Sequence, residues 1–307
     1  MPDYIIVVDN GNYRIVKRLA SDLSYVSQIG SFGSGDDQFN NPYGITTDGT
    51  HVYITDTSNN RIVKRLASDF SYVSQIGYYG SGNDQFQTPR GITTDGTYLY
   101  IADSGNNRVV KRLVSDLSYV SKIGSFGAGD DQFISPDGIT TDGTYIYIED
   151  AGNNRIVKRL TSDLSYVSQI GSTGSGDDQF NNPRGITVDG THIYIADTNN
   201  QRIVKRLASD LSYVSQVGSS APGNDGPIGI TNDGTYIYFC GTNNNRVTKR
   251  LASDLSYVSQ IGSSGAGDDQ FISPCGITLV VSSIPPDPPS IVSVVAGIRK
   301  NTISWSL

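Results

Sequence analysis

Six near-copies of one unit, each reading as four short strands, predict an all-β protein. The expected fold is a six-bladed β-propeller of four-stranded antiparallel blades, its ring closed by pairing of the N- and C-terminal strands. Three observations carry this. The string RIVKRL or a close variant recurs with its first Arg at 14, 61, 108, 155, 202 and 246, and the glycine of PxGIT recurs at 44, 91, 138, 185, 229 and 276, a period of 47 with one interval of 44. Residues 14 to 60 differ from residues 61 to 107 at only 12 of 47 positions, so the units are copies and not just similar patterns. Within a unit, apolar residues alternate or run for five to seven positions, which is strand periodicity and not the 3.6-residue spacing of a helical repeat.

The elements follow in order along the unit at 91 to 124. GITTD is the first strand, and Asp95-Gly96 is a two-residue turn signal that favours a tight hairpin because both positions tolerate positive φ. YLYIAD (98 to 103), rich in β-branched and aromatic residues, is the second strand, and a polar SGNN loop follows. RVVKRL (108 to 113) is the third, and a turn at Ser115 and Asp116 leads to the fourth, SYVSKIG (118 to 124). The ends supply the closure. The chain starts with DYIIVVD, a second strand, and the last unit stops at GITLVV (276 to 281), a first strand with no second strand after it. Pairing 276 to 281 with 4 to 8 completes a blade and removes edges that would otherwise be free to aggregate.

Composition narrows the function classes. The 307 residues are 36% hydrophobic and 17% charged, with no run of 18 apolar residues, so no transmembrane helix and no membrane insertion are expected. MPDYIIVVDN lacks the basic start and apolar core of a signal peptide, so an export signal would lie outside this sequence. A formal charge of -7 argues against nucleic acid as the main partner, since phosphate backbones are held by Lys and Arg. Two cysteines are too few for a disulfide scaffold or a four-thiolate zinc site.

The units resemble NHL repeats. GSGDDQFNNPYGITTDGTHVYITDTSNNRIVKRL (33 to 66) is similar to the family pattern of a GxGxxxxQF turn, PxGI, a tyrosine-rich strand ending in Asp, and NxRI, and the likeness recurs six times over residues 4 to 281. The resemblance implies loops after the fourth and second strands opening on one top face around a central channel. It also implies protein or RNA binding, with metal-assisted lyase or lactonase activity in a minority of six-bladed relatives. The expected domains are the propeller at 1 to 283, a Pro-rich linker at 284 to 290, and a segment at 291 to 307 whose ISWSL, with Trp305, resembles the truncated start of a fibronectin type III domain. That arrangement reads as a piece of a larger secreted or surface protein.

Catalytic chemistry finds little support. His51 and His192 occupy a position that is Tyr98, Tyr145 or Tyr236 in other units, so they read as interchangeable strand residues. With two His and two Cys, the metal sites of the lyase relatives map onto no position here, and GxSxG, HExxH and P-loop strings are absent. No catalytic residue, metal or cofactor is expected. Eighteen of the 23 basic residues fall in the RxxKR pattern of the third strands, where pairing with the Asp that ends the second strand (Asp56, Asp103, Asp150, Asp197) is the expected role. The remainder of that charge reads as a solvated face. Asp pairs in the glycine-rich turns (Asp36 and Asp37, Asp130 and Asp131, Asp177 and Asp178, Asp268 and Asp269) read as turn chemistry and not as calcium loops.

Among near-copies, the informative positions are those that differ. The residue between Pro and Gly of PxGI is Tyr43, Arg90, Asp137, Arg184, Ile228 and Cys275 in successive units, and the end of the second strand varies next most, with Glu149, the only Glu of the chain, in one unit and Cys240 in another. These seven residues (Tyr43, Arg90, Asp137, Glu149, Arg184, Ile228, Cys275) are expected to form a binding rim on the top face. Asp137 and Glu149 are expected to converge because first and second strands are antiparallel, with Arg90 and Arg184 on either side. Cys240 and Cys275 are expected to be neighbours, as a disulfide or a thiol pair. The function this predicts is non-enzymatic: a monomeric module that recognises a protein or glycan partner. A metal-assisted lactonase or lyase at the channel mouth and an RNA-binding domain are the alternatives.

Overall fold

The computed structural model describes residues 2–218 and 226–281, so the linker and the fibronectin-like segment lie outside the described residues. Six four-stranded antiparallel sheets stand around a common axis. Blade 1 has the order β24 (Pro274–Val280), β1 (Tyr4–Asp9), β2 (Arg14–Leu19), β3 (Tyr25–Ile29), which is the expected closure. The register is Tyr4 opposite Val280 and Val7 opposite Ile277. The other five blades run outward from inner strands β4 (Pro42–Thr47), β8 (Pro89–Thr94), β12 (Pro136–Thr141), β16 (Pro183–Val188) and β20 (Pro227–Asn232), and these define blades 2 to 6 in chain order. The only helical pieces among the described residues are single 3-10 turns such as Thr57–Asn59. The hairpins form as their sequence requires: Gly49 sits at φ 88, where a Cβ would be strained, and Thr47 Oγ1 donates to the His51 carbonyl at 2.7 Å.

Blades stand edge-on to the axis, so both faces of each sheet pack against neighbours. Val52, Tyr53 and Ile54 are all wholly buried in consecutive positions of one second strand. That is why these strands read as continuous apolar runs and not as alternating ones. The core is therefore six seams, one per joint; Ile6, Val8 and Ile15 of blade 1, for example, pack on Ile45, Val52 and Ile54 of blade 2. At the axis the inner strands meet so closely that a Cβ on Gly91 would run into the Asp137 carbonyl oxygen, and one on Gly276 into that of Tyr43.

The third strands correct the expectation of a solvated basic face. In blades 1 to 5 each RxxKR contributes three buried cations with separate structural jobs; in blade 6 the first, Arg246, is only half-buried and stands opposite Gly241 where the other blades have Asp. The first pairs with the Asp ending the second strand, Arg61 Nε to Asp56 at 2.7 Å being typical. The lysine donates to turn carbonyls of the next blade: Lys17 to Ala67 (2.8 Å), Lys111 to Thr161 (2.6 Å), Lys158 to Ala208 (2.7 Å), and Lys249 back to Ala20 (3.0 Å), completing the circle. The last arginine is fully enclosed. Arg65 donates to the Phe70 carbonyl at 2.6 Å and to Asp37 Oδ1 at 2.9 Å, while Arg159 reaches Leu164 and Asp131 in the same way. Phe70 and Leu164 hold φ near 65 and 64, an unfavourable backbone for a large side chain. The buried guanidinium on its carbonyl and the enclosed side chain hold each turn there. The second member of each Asp pair is thus half of an ion pair, a role the turn reading alone did not contain.

Candidate functional site

The inner strands begin at the top face, and the residues before their glycines converge over the channel. Below them the channel narrows to a space of about 60 Å3 lined by the PxGI glycines and isoleucines. That holds a few waters and no ligand of ordinary size, for which sites begin near 300 Å3. The chemistry is confined to the mouth.

There Tyr43, Arg90, Asp137 and Arg184 form one cluster spanning four blades. Asp137 Oδ2 accepts from Arg90 Nη1 at 2.7 Å and from the Tyr43 hydroxyl at 3.4 Å, and Arg184 Nε stands 4.0 Å away. The Arg90 guanidinium also lies 5.4 Å from the Tyr43 ring centroid, within cation–π range. Burial raises the Asp137 carboxyl above its ordinary value, against the pull of both arginines, and pushes the Tyr43 hydroxyl well up. Arg90 is raised as well, held charged chiefly by Asp137.

Exposure corrects the rim as the sequence framed it. Arg90 and Arg184 side chains are 33% and 31% exposed and Tyr43 is half-buried, but Asp137 and Glu149 are wholly enclosed and Ile228 and Cys275 are buried. Four of the seven rim residues therefore offer a partner little or nothing. The physical reason is crowding: six inner strands meet at the axis, so a residue beginning one of them points into its neighbours and not into a free loop. Both carboxylates are buried beneath the mouth, and the Asp137 charge adds to burial in raising Glu149.

Glu149 sits in β13 (Tyr145–Asp150), opposite Ile156. In blade 2 the equivalent Thr55 Oγ1 accepts from Gly44 N–H at 2.7 Å and donates to the Arg90 carbonyl at 2.7 Å, tying one blade to the next. The Glu149 carboxyl faces the same pair of groups, the Gly138 amide and the Arg184 carbonyl, yet neither oxygen makes a hydrogen bond as an acceptor. The position asks for a group that accepts and donates at once. A carboxylate only accepts, whereas a carboxylic acid does both. Burial and the nearby Asp137 and Asp197 charges push the Glu149 carboxyl well above its ordinary value, against the Gly138 amide and Arg184. Both the donor-and-acceptor demand of the position and the direction of that shift favour the protonated carboxyl.

Of the disulfide or thiol pair expected of Cys240 and Cys275, the disulfide is not formed: both are free, buried thiols. Cys275 Sγ lies 3.4 Å from the Pro42 and Tyr43 carbonyls and Cys240 Sγ 3.9 Å from that of Gly276, so each packs on the next blade's backbone. Burial pushes both thiols up. His51 and His192 lie at the opposite end from the mouth, 3.2 and 3.7 Å from the hairpin residues Asp48 and Asp189. Among the described residues no three His, Cys, Asp or Glu side chains gather as a metal-holding group.

Blade 5 carries a segment that matches a known repeat. Residues 180–205 match the NHL repeat. That segment contains Phe180, the whole inner strand β16, the Asp197–Arg202 pair and Lys205, and stops just before the enclosed Arg206. Around it, the six-bladed ring is similar to a chain in the crystal structure of a nidogen/laminin complex, at TM-score 0.67 and 16% identity over 91% of this chain and 98% of that one. It is also similar to a functionally unknown protein from Desulfotomaculum acetoxidans, at TM-score 0.55 and 17% identity over 85% and 80%. At such identities the likeness is one of fold. No curated protein matches the chain.

Proposed function

We propose that the propeller is a binding module of a larger secreted or surface protein, monomeric, taking a protein partner on its top face through the Tyr43, Arg90 and Arg184 floor. One observation carries the reading: the positions where near-identical units diverge most are brought together over the channel, while the surrounding scaffold is repeated almost unchanged. Tyr and Arg are the side chains most enriched where partners anchor. The similar propeller in the nidogen/laminin structure belongs to a complex between proteins, which is consistent with such a role for this fold. The commitment of the repeated lysines and arginines to carbonyls and carboxylates leaves little free cationic surface for a phosphate backbone, which favours this reading over RNA.

Immobilised protein should capture a partner from surface and secreted fractions of its source, and the captured protein can then be titrated against variants. Tyr43→Ala combined with Arg184→Gln should weaken binding about a hundred-fold or more, since central anchors cost about 2 kcal/mol each. The melting temperature should stay within a few degrees, because both side chains are partly exposed. A partner whose affinity ignores the double substitution would place its binding elsewhere and overturn the proposal.

A further inference from the structure

One joint of the ring differs from the other five. Elsewhere a QF segment precedes each inner-strand proline, and its phenylalanine (Phe39, Phe86, Phe133, Phe180, Phe271) is wholly buried. Before β20 the sequence reads SSAPGNDGP, shorter by three residues and with neither Gln nor Phe. The polar latch also changes. At four joints an Asn side chain accepts from the residue before the proline, as Asn154 does from Asn182 N–H at 2.7 Å and Asn245 from Ser273 N–H at 2.8 Å. At this joint the corresponding residues are Gln201, which is exposed, and Gly226 at φ 64.

A cavity of about 320 Å3 opens there between blades 5 and 6, and its only apolar side chain among the described lining residues is Ile228. Thr198 and Thr242 donate inward to the Pro227 and Pro274 carbonyls at 2.7 and 2.9 Å, which leaves their oxygens able to accept. Asn199, Gln201 and Asn243 present exposed amides, and those of Gln201 and Asn243 make no hydrogen bond among the described residues. Arg184 also lines the cavity. Unlike Arg90, it is 4.0 Å from Asp137, and its firmest partner is the Asn182 amide, which in its satisfied orientation accepts from Nε and Nη2 at 3.1 Å. Its Nη1 has no partner among the described residues.

We propose that this cavity binds a hexuronic acid, its carboxylate on Arg184 and its ring hydroxyls on the amides of Asn199, Gln201 and Asn243. The volume sits at the lower end for ligand sites and suits a single sugar ring. The chemistry is selective: a neutral hexose leaves the guanidinium unanswered, and a bare carboxylate leaves three amides facing water. This goes beyond the floor reading, because the cavity lies to one side of the axis and needs no protein partner.

Glucuronate, glucose and acetate titrated separately into the full chain, followed by ligand-observed NMR and calorimetry, test it. Glucuronate should saturate, with glucose and acetate each weaker by about ten-fold or more, the scale of one charge-assisted contact or several neutral ones. Arg184→Gln and, separately, Asn243→Ala should each weaken glucuronate about ten-fold; Asn243 is exposed and its loss leaves the fold intact. Lys122→Ala, an exposed cation distant in sequence from the cavity, should change nothing and so controls for general charge attraction. No saturable glucuronate signal, equal binding of acetate or glucose, or an affinity that both cavity variants leave unchanged overturns the proposal. The protein-capture experiment uses no sugar and stands or falls separately.

Discussion

A chain ending at Pro274 should lose its cooperative melting transition or melt more than about 10 °C below the full-length protein. The deletion takes away β24, and with it the buried side chains of Cys275, Ile277 and Val280 and the whole antiparallel ladder to β1. Buried aliphatic side chains are worth about 1.5 to 3 kcal/mol each, so the loss is on the order of 5 kcal/mol before the broken ladder is counted. That is a large share of the roughly 5 to 15 kcal/mol that holds a typical protein folded. The damage spreads to both neighbours, because Ile277 packs against blade 6 residues such as Tyr238 and Val247, while Cys275 and Val280 join the seam with blade 2. A chain ending at Val281 should melt like the full-length protein, and a peptide of residues 274 to 281 added in trans should restore much of the transition by strand addition. Differential scanning calorimetry decides it, and a truncation at Pro274 that melts within a few degrees of the full chain would refute closure by this strand.

Glu149→Gln should stabilise the protein, and by more as the pH rises. The amide accepts from the Gly138 amide side and donates toward the Arg184 carbonyl with no proton to gain, as Thr55 does in blade 2. With its carboxyl raised by burial, Glu149 keeps a proton to higher pH in the folded state than in the unfolded chain, which releases it near the ordinary value of 4.5. A group raised in the folded state contributes fully below the unfolded value, and that contribution is lost as pH climbs toward the folded one. The variant and the native protein should therefore melt alike near pH 4, diverge above about pH 4.5, and differ at pH 7 by roughly 1 to 3 kcal/mol, the cost of an unsatisfied buried group. Melting curves from pH 4 to 8 read this directly. A constant difference between the two proteins, or a variant that is less stable throughout, would show that Glu149 is ionised and paired.

The ring and its closure were legible because each depends on repetition: a 47-residue period, an Asp-Gly hairpin in nearly every unit and mismatched end strands leave few other arrangements. The first Arg of RxxKR was legible for the same reason, since its Asp lies five residues before it and recurs with it. The other two cations were not. A basic run on a strand ordinarily marks a wet face, and nothing local says that both faces of the blade are covered. The signal that would have found Arg65 and Arg159 is distant, an Asp 28 residues upstream at each, visible only once the loop is known to fold back over its own third strand. The mouth was only half legible. Variation between units did mark the residues that gather over the axis, but Asp137, Ile228 and Cys275 vary inside a crowded joint, where each unit meets a different neighbour, and not on an open rim.

The direction of the last strand has a consequence for attachment. β24 begins at the mouth with Pro274 and ends at Val280, opposite Tyr4, at the far end of the ring. Both ends of the described chain therefore emerge side by side from the base, about one strand spacing apart. Whatever is joined before residue 2 or after residue 281 is tethered from underneath, like a bowl on a stem, with the differentiated face pointing outward. A fusion at either end leaves that face clear, and a surface anchored through either end holds it turned to the surroundings.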